Sequence, residues 1–460
     1  MYPVLFLRAI PLAAIVLPTL AGRCDVPTGR AQAPRRPSAR PQAKPRQAKP
    51  RVAIRPTSAP AAASAKLPAS IPAFTHTKPP SAVERRAAAA TTNTFGASAY
   101  QELRHQDGNL AFSPASAGIA LGMASAGAGG STLSEMRAAL SHTLAPARQH
   151  AALGVLERRW QRLRKRGLRV MSANCIFTSK QLPIARRFVS WLAQIYHSPI
   201  ERLDFSVPVA AAKRVNAWIG SRTAHRIRRA VGPDAFSAQN ALVLASTLYF
   251  RARWMEEFDP EATRRRAFWV QGRERVLVPM MARDGDLAFA RRKDTRIVEL
   301  PYRGGQFSMF VLLPRRRRGL AQTEQECLQP RLDVCLRGLS SRYVDLQLPR
   351  FRIETGRLSL RPALERLGIT AAFNAERANF TAIAPARWQL FIGEVAQKVS
   401  VSVDEIGTEA ASATFEFHGV GSLPPTPVPF HVDRPFVFLI RDDTNGAVLF
   451  VGRVTDPRLS

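Results

Sequence analysis

The hydrophobic pattern that begins near Asn93 has the period of helices. Phe95, Ala99 and Leu103 recur every four residues, which is typical of one face of an amphipathic helix. Downstream, in NLAFSPASAGIALGMASAGAGG (109–130), a Ser-Pro pair is typical of a helix N-cap and first turn. The pattern therefore predicts a succession of helices in the first third of the folded part.

Glycines divide this helical region. The N-cap of the Ala-rich helix is predicted at Ser113, and its end at the glycines of GAGG (127–130). Thr132 and Glu135 have the spacing of a capping box, which predicts that the next helix opens there.

From about residue 240 the period changes to that of β-strands. Residues 399–404 (VSVSVD) alternate apolar and polar side chains, and Asn445–Gly446 between two apolar runs at 435–454 is typical of a hairpin turn. The other predicted strands are 241–250, 307–314 and 344–354, the last with Val344, Leu346 and Leu348 on one side. Helices followed by strands favour an α+β domain built on antiparallel sheets.

A run of mostly small residues follows the strand at 399–404. If that strand continued, small side chains on both of its faces would insert between existing strands at low steric cost. Gly407 would let the backbone hinge. The residues of the run are Thr408, Ala410, Ser412 and Thr414 on one face and Glu409, Ala411 and Ala413 on the other. The run is therefore either a flexible Ala-rich loop or a segment able to enter a sheet as an added strand.

The chain is strongly basic, with a formal net charge of +33. Residues 25–86 contribute +11 and residues 1–24 contribute +2, so +20 remains on residues 87–460. A charge of this size favours acidic surfaces, nucleic acids or anionic polysaccharides as partners. A general preference for Arg over Lys would account for the same charge without such a partner.

The N-terminal segments indicate export. Residues 1–24 hold an early charge and an apolar run that is too short and Pro-broken for a membrane span but is typical of a signal peptide. Residues 25–90 are rich in Pro, Ala, Arg and Gln, which predicts a disordered basic linker ahead of a folded domain at 91–460. The protein is therefore expected to be secreted, or located in the periplasm or cell envelope.

The chain has four cysteines, Cys24, Cys175, Cys327 and Cys335. No C-x-x-C pair occurs, so they do not indicate a zinc or redox site; Cys327 and Cys335 would either pair after export or remain buried thiols. LAGRC resembles a lipoprotein signal, but Arg23 stands where a small residue should precede Cys24, which argues against lipid anchoring. The motifs of common hydrolases and nucleotide-binding enzymes are missing, so no enzyme, cofactor or metal is predicted.

Blocks of sequence over residues 93–457 resemble the serpin family, in family order and at family spacing. They include NLAFSPAS (109–116), LYFRARW (248–254), LPYRGGQFSMFVLLP (300–314), LPRFRIE (348–354) and the hinge DEIGTEAASAT (404–414). The resemblance, to exported members of the bacterial type, implies three β-sheets, about nine helices and an exposed reactive-centre loop. We expect a monomeric inhibitor of serine proteases.

In most members of that family a protease cleaves a bait bond in the loop and is trapped as an acyl-enzyme, because the loop inserts as a strand into the main sheet. Counting along the loop as in inhibitory members puts the bait bond at Gly421–Ser422, or at Val420–Gly421 if the loop is one residue shorter. These small or aliphatic residues predict an elastase-like or subtilisin-like target. Phe417 or Leu423 would serve a chymotrypsin-like enzyme as a secondary bond.

The resemblance also defines the residues that take part in loop insertion. Those around the opening of the main sheet are Ser113, Ser116, Trp254, Ser246 and Gln397, and the hinge begins at Glu405. Ser246 and Gln397 replace the Asn and His usual in the family, and Ile406 replaces a polar hinge residue. Glu416 would point into the core after full insertion, where a carboxylate must protonate or find a partner such as His418. These departures predict slower or less complete insertion.

The densest basic run of the folded part is ERRWQRLRKRGLR (157–169). At helical spacing Arg158, Arg162 and Lys165 form one stripe, with Arg159 and Arg166 beside it. In the serpin resemblance this run lies on the helix that some members use to bind heparin-like polyanions. The alternative is a solvated face of an Arg-rich protein.

A second reading of the whole chain stays open, namely a non-inhibitory serpin that binds or chaperones an acidic or polyanionic partner. Non-inhibitory members tend to carry bulky, charged or Pro residues in the hinge, and TEAASAT (408–414) does not follow that tendency. The hinge therefore favours inhibition.

Overall fold

A computed structural model describes residues 78–165, 167–227, 229–236, 242–328, 332–355, 358–408 and 426–458. Over these ranges the chain forms nine α-helices. They are α1 (Ala82–Leu103), α2 (Pro114–Ser125), α3 (Gly130–Ala139), α4 (Pro146–Arg162), α5 (Arg186–Ile195), α6 (Pro208–Arg222), α7 (Leu320–Leu328), α8 (Leu332–Cys335) and α9 (Arg361–Arg366). Within the described part, no helix combines the length and the apolar character that crossing a bilayer requires.

Seventeen strands accompany these helices in the described ranges. They are β1 (Leu110–Phe112), β2 (Arg164–Lys165), β3 (Leu168–Ser179), β4 (Ile200–Leu203), β5 (Leu242–Arg253), β6 (Arg264–Val270), β7 (Glu274–Arg291), β8 (Thr295–Pro301), β9 (Phe307–Pro314), β10 (Ser340–Pro349), β11 (Phe351–Glu354), β12 (Leu358–Ser359), β13 (Ile392–Val403), β14 (Gly407–Thr408), β15 (Val428–His431), β16 (Phe436–Asp442) and β17 (Ala447–Val454).

Hydrogen bonds join the described strands into two sheets. One has the order β1-β17-β16-β9-β8-β7-β10-β15, with β6 paired to β7, and the other has the order β11-β13-β14-β5-β3-β2, with β12 on β13 and β4 on β3. The resemblance implied three sheets; here the 18-residue β7 pairs with β6, β10 and β8 along its length and so connects strands that would otherwise form two separate sheets. Helix α2 is buried along its whole length and packs against β3 and β5 of one sheet and β17 of the other.

Several predicted elements are confirmed, and where their bounds differ, the observed element is mostly longer than the predicted one. The segment 307–314 is β9, residues 242–250 fall in β5, residues 399–403 fall in β13, and 436–454 form the β16–β17 hairpin with Gly446 at φ +82°. The α+β class is confirmed as well. The Ala-rich helix α2 begins at the predicted N-cap, since the Ser113 side chain accepts a hydrogen bond from the Ser116 N–H.

The folded part begins earlier than predicted. Helix α1 starts at Ala82, where Ser81 and Glu84 form a capping box, and Ala88 and Ala89 are fully buried. The composition of residues 25–90 predicts a linker over 82–90, because this stretch lacks large apolar side chains. Small alanines pack here against the rest of the domain, so the helix needs no large residues in its first turns.

Two local predictions are wrong. The predicted capping box at Thr132 and Glu135 does not open α3, whose N-cap is Gly129; the Thr132 hydroxyl accepts from the N–H of Asn379 (3.0 Å) and the Glu135 carboxylate accepts from the N–H of Ala371 (2.7 Å). Both side chains therefore bind a distant segment instead of their own helix. The predicted single strand 344–354 is two strands, β10 and β11, which belong to different sheets.

The three cysteines in the described part of the chain are divided between one disulfide and a buried thiol. Cys327 and Cys335 form a disulfide that joins α7 to α8. Of the two alternatives left open by the sequence, the structure therefore has the pair. Cys175 is a buried free thiol, and burial raises its pKa well above the usual range.

Candidate functional site

The chain reverses direction directly after β13. The Asp404 carboxylate accepts hydrogen bonds from the backbone N–H groups of Ile406 (3.0 Å) and Gly407 (3.1 Å), and the Asp404 N–H donates to the Gly407 carbonyl (2.9 Å). Gly407 and Thr408 then form β14, which pairs antiparallel with both β13 and β5. Strand β13 therefore does not continue through residues 404–408, because the chain turns back and the first residues of the hinge pair between two strands.

Below β14 the neighbouring strands touch each other directly. Strands β5 and β13 pair in parallel, from Leu242 opposite Ile392 to Tyr249 opposite Ser400. At one end of this junction, the two residues of β14 thus separate β5 from β13. Along the rest of the junction the two strands pair directly, so the junction is closed there.

The two residues of β14 fit a narrow space. A Cβ atom at position 407 would lie 2.0 Å from the carbonyl oxygen of Ala252, so only glycine fits there. Thr408 is 1% exposed, and its hydroxyl hydrogen-bonds the hydroxyl of Tyr302 at 2.7 Å. The Tyr302 ring stacks on Trp254, with ring centroids 4.6 Å apart. The end of the hinge strand therefore rests on a closely packed aromatic pair.

Trp254 and Glu405 hold the turn that leads into β14. The indole Nε1 of Trp254 donates to the Asp404 carbonyl (2.9 Å), and its backbone N–H donates to the Ile406 carbonyl (2.8 Å). The buried Glu405 carboxylate accepts from Arg350 Nε (2.6 Å) and the Thr263 hydroxyl (2.5 Å). Arg350 lies between β10 and β11, so this ion pair ties the turn to the point where the chain changes sheets.

Further along the junction, three polar residues form a row across adjacent strands. This polar row consists of Asn174 (β3), Ser246 (β5) and Gln397 (β13), which are register partners. From α2, the Ser116 hydroxyl contacts the Ser246 hydroxyl at 2.6 Å and donates to Asn174 Oδ1 at 3.3 Å. Gln397 accepts from the Ser113 N–H (2.8 Å) and donates to the Ser113 carbonyl (3.0 Å). The start of α2 is thus bonded to both strands of the closed junction.

The predicted loop-insertion residues therefore occupy two places. Ser113, Ser116, Ser246 and Gln397 come together at the polar row, whereas Trp254 lies at the hinge. The sequence reasoning missed two residues of these sites. The sequence contains a signal for Asn174, because it is a polar residue in the apolar segment VMSANCIF (170–177). It contains no signal for Tyr302, because the partner of Tyr302, Thr408, is 106 residues away.

The polar row continues into a buried carboxylate on α4. Glu157 is fully buried and accepts hydrogen bonds from Asn174 Nδ2 (3.1 Å), the Ser172 hydroxyl (2.6 Å) and Gln161 Nε2 (2.9 Å). Burial raises the pKa of the Glu157 carboxyl, and the three hydrogen bonds lower it in part. A titratable group is therefore bonded directly to the polar row.

The rest of the hinge and the predicted bait bonds lie outside the described residues. These residues are Glu409, Ala410, Ala411, Ser412, Ala413, Thr414, Glu416, Phe417, His418, Val420, Gly421, Ser422 and Leu423. The same holds for Arg166 of the basic run and for the predicted signal peptide at 1–24.

The basic run does not form the predicted helical stripe. Helix α4 ends at Arg162, and Lys165 belongs to β2, so a stripe of Arg158, Arg162 and Lys165 on one helix is wrong. Arg159 is engaged within the fold, because its Nε donates to Asp442 Oδ2 at 3.0 Å. Arg158 and Arg162 lie one turn apart on α4, and in the described residues neither forms an ion pair.

Arg158 and Arg162 border an open cavity of about 560 Å³. Its other walls include Pro80, Val155 and Ile195, and the Nε atom of Arg158 is buried without a hydrogen-bond partner in the described structure. The cavity thus combines an apolar floor with cationic side chains.

A family model described as Serpin (serine protease inhibitor) matches residues 90–457. The chain belongs to the serpin family. It is 30% identical to antithrombin-III of Mus musculus over 392 residues, which cover 83% of this chain and 84% of that relative. The crystal structure of Serpin48 from the insect Tenebrio molitor is 30% identical, with a TM-score of 0.72 over 80% of this chain and 98% of Serpin48. Uncleaved ovalbumin is 26% identical, with a TM-score of 0.71 over 80% of this chain and 99% of ovalbumin.

Membership in the serpin family indicates the general function of the protein. Serpins are inhibitors or binding proteins and not enzymes with turnover of their own. Members such as antithrombin are inhibitors, members of the family bind serine proteases covalently, and others such as ovalbumin are non-inhibitory. The prediction of a serpin that is not an enzyme is confirmed.

Proposed function

We propose that this serpin inhibits a serine protease as a suicide substrate. The protease serine oxygen would attack the carbonyl carbon of Gly421, or of Val420, and the amine of the next residue would leave with a proton. The resulting ester would be held because the residues that follow Thr408 enter the sheet between β5 and β13. A protease carried along with the loop would be distorted before water completes hydrolysis.

The observation that carries this proposal is strand β14. The hinge already runs antiparallel between β5 and β13, so insertion needs only the lengthening of an existing strand. The following residues of the hinge are mostly small, so they would pass between the strands without displacing core side chains.

The residues around the bait bond favour a protease with a shallow primary pocket. Val420, Gly421 and Ser422 are small or aliphatic, and the chain has no Arg or Lys between Asp404 and Asp433. An elastase-like or subtilisin-like protease therefore suits the loop, and a trypsin-like protease does not.

The test is incubation with elastase-like, subtilisin-like and chymotrypsin-like proteases, followed by a denaturing gel and mass spectrometry of the released peptide. We expect a detergent-stable band at the summed mass and a C-terminal peptide that starts at Ser422 or Gly421. Cleavage at that bond by all three enzymes without a covalent band would overturn trapping and leave a substrate-like or binding serpin.

We also propose that the chain is exported and acts as a monomer. The apolar N-terminal run supports export, and so does the Cys327–Cys335 disulfide, since such bonds persist in oxidising compartments. Sequencing the N-terminus of the mature protein tests export, because an unprocessed Met1 in the exported fraction would contradict a cleaved signal peptide.

A second candidate function is polyanion binding at α4. Arg158 and Arg162 border the 560 Å³ cavity, and in the described residues neither has a carboxylate within 4.0 Å. The wider +20 charge of residues 87–460 would add to the attraction. Polyanion binding would either accompany inhibition or, in a non-inhibitory serpin, be the function itself.

Elution from a heparin column tests the polyanion site. Arg158→Gln should lower the salt concentration needed for elution. Losing one contact to a phosphate- or sulfate-type group weakens the electrostatic binding and also makes it less dependent on salt. Arg187→Gln, an exposed arginine on α5, is the matched control. Equal elution of both variants would assign the affinity to overall charge.

A further inference from the structure

Four arginines from four separate parts of the chain come together beside strand β15. The first ends β7, the second lies at the start of β8, the third directly follows β9, and the fourth lies just before β16. We call them the arginine cluster; its members are Arg291, Arg296, Arg315 and Arg434. None of the four belongs to the hinge, the polar row or α4.

The four positive charges act on one another. Arg291 and Arg296 are register partners on neighbouring strands, and like charges placed directly opposite each other destabilise a sheet. Burial lowers the pKa of the half-buried Arg296, and the charges of Arg434, Arg291 and Arg315 lower it further. The fold therefore holds these four guanidinium groups together against their mutual repulsion.

Carboxylates compensate little of this charge. In the described residues the cluster forms one ion pair, in which Arg434 Nε donates to Asp433 Oδ1 at 2.6 Å. The carboxylates of Asp294 and Glu326 form no ion pair among the described residues. Glu326 instead accepts hydrogen bonds from the Asp294 N–H (3.2 Å) and the Thr295 hydroxyl (2.7 Å). One carboxylate is thus paired within a cluster of four arginines.

Exposed arginines elsewhere in the described part show the contrast. Arg361 pairs with Glu365 at 2.9 Å, and Arg366 pairs with a carboxylate on α1. Their charges are therefore matched within the fold, as a solvated surface requires, whereas those of the arginine cluster are not. The cluster differs from the general Arg-rich surface in this respect.

Backbone carbonyls fix three of the four guanidinium groups. Arg296 Nη1 donates to the Pro429 carbonyl of β15 at 2.9 Å. Arg434 Nη1 donates to the Arg315 carbonyl (2.7 Å), and Arg315 Nη1 donates to the Lys293 carbonyl (3.2 Å). A guanidinium has five N–H donors, so one such bond leaves others for a ligand. Because these groups are already positioned, a ligand would lose little affinity to ordering them.

The chemistry of the cluster favours phosphate as the bound group. A phosphate carries more charge than a carboxylate or a sulfate ester, and its oxygens match the planar donor fork of arginine. The Arg296 and Arg291 guanidinium groups lie 5.6 Å and 5.8 Å from the ring centroids of Phe430 and Phe289. Arginines therefore cover the aromatic rings of the site, which leaves no bare ring on which a nucleobase could stack.

We propose that the arginine cluster binds a ligand through a pyrophosphate group, that is, two adjacent phosphates. The phosphate oxygens would accept hydrogen bonds from the four arginines and lie between their charges. Because Arg296 also bonds to Pro429, the bound ligand would hold β15 in place. The site goes beyond protease inhibition, since it includes no residue of the hinge or the predicted bait bond.

The test is calorimetric titration of the full-length protein with inorganic pyrophosphate at fixed ionic strength. Inorganic sulfate is the matched anion with a single, less charged group. We expect saturable one-to-one binding of pyrophosphate, with sulfate at least about tenfold weaker. ADP distinguishes the sources of the group: equal affinity for ADP would indicate a nucleotide and weaker affinity a free pyrophosphate, and either supports the site. No protease is present, so failure here is distinguishable from failure of the inhibitory mechanism.

Arg291→Gln assigns the binding to the cluster, because the Arg291 side chain makes no hydrogen bond in the described residues and the variant should fold. It should weaken pyrophosphate binding about three- to tenfold. Without ligand, it should also raise the apparent Tm by about 1–2 °C, since one repelling charge is gone. The exposed Arg187→Gln on α5 should change neither.

Three results would overturn the proposal. They are the absence of saturable pyrophosphate binding, equal affinity for sulfate, and equal affinity of Arg291→Gln and Arg187→Gln for pyrophosphate. A Tm of ligand-free Arg291→Gln that is no higher than that of Arg187→Gln would contradict the repulsion on which the proposal rests.

Discussion

The two ends of the β5–β13 junction are held by different kinds of contact. At the hinge end the fit is steric: Gly407 has no room for a Cβ atom, and Thr408 is buried against Tyr302. At the polar row the strands touch directly, and side-chain hydrogen bonds join them to α2. A change of side-chain size should therefore disturb the first region, and removal of a hydrogen-bond partner should disturb the second.

Under the proposed mechanism, this difference would separate two steps of loop insertion. The hinge end is already open by two residues, so it would determine whether further residues can follow. The polar row lies deeper along the same junction, and its bonds to Ser113 and Ser116 would have to be exchanged before a strand passes. The hinge would thus govern the start of insertion, and the polar row would govern how far insertion proceeds.

The largest effect is expected from Thr408→Arg, which breaks the hinge end. A guanidinium at this buried position without a partner costs several kcal/mol, so β14 cannot form or lengthen. The variant should be cleaved as an ordinary substrate, with at least about tenfold less covalent complex on a denaturing gel.

Thr408→Ser is the matched control for that experiment. It keeps the hydroxyl that contacts Tyr302, so complex formation should stay close to that of the unchanged protein. Undiminished complex formation by Thr408→Arg would contradict insertion between β5 and β13.

Gly407→Ala tests the steric fit of the hinge with a smaller change. The added Cβ atom would lie 2.0 Å from the Ala252 carbonyl oxygen, and overpacking of this kind costs about 1–3 kcal/mol. We expect faster hydrogen exchange at 405–408 and a lower apparent Tm at a fixed scan rate. Gly285→Ala, whose Cβ atom would have its nearest contact at 3.4 Å, should change neither.

Gln397→Ala tests the polar row. It leaves the Ser113 N–H and carbonyl without their side-chain partner, which costs about 1–2 kcal/mol when water fills part of the space. The apparent Tm should fall, while hydrogen exchange at 405–408 should not change. Gln181→Ala, at an exposed position, is the control. Increased hydrogen exchange at 405–408 in Gln397→Ala would show that the hinge end and the polar row act as one region.

The smallest effect is expected from Glu157→Gln, and it depends on pH. Because burial raises the pKa of this carboxyl above its ordinary 4.5, the folded state keeps the proton at pH values where the unfolded state has lost it. The contribution of Glu157 to stability therefore decreases as pH rises above about 4.5. Glutamine has no proton to lose, so the variant should gain stability relative to the unchanged protein as pH rises.

Urea midpoints at pH 4.5 and pH 8 measure this difference. The exposed Glu261→Gln is the matched control and should show a difference that does not grow with pH. A Glu157→Gln difference that is equal at both pH values would show that the carboxyl titrates alike in the folded and unfolded states.

The sequence predicts the elements of this fold better than their ends and contacts. Alternation in VSVSVD and the apolar runs of β9 and the β16–β17 hairpin depend on local pattern, which is why these strands were found. The start of α1 was missed because its first turns pack through alanines. The break between β10 and β11 was missed because alternation continues on both sides of Pro349 and Arg350.

The candidate site was predicted only in outline. The hinge and four residues near the polar row were found through family resemblance, whereas Tyr302 and Glu157 were not. Their partners, Thr408 and Asn174, lie far along the chain or on another element, and no local pattern reports such a contact. Lys165 was placed on a helix because charge spacing alone does not show where α4 ends.

The ladder between β5 and β13 has a consequence for the lifetime of the fold. Each residue added to β14 would replace one rung of a parallel pair with two antiparallel rungs, and parallel pairing is slightly less stable for each residue. If the hinge inserts as proposed, the same sequence would make more main-chain hydrogen bonds than this arrangement contains. The persistence of the uncleaved molecule would then depend on an activation barrier and not on a position at the free-energy minimum.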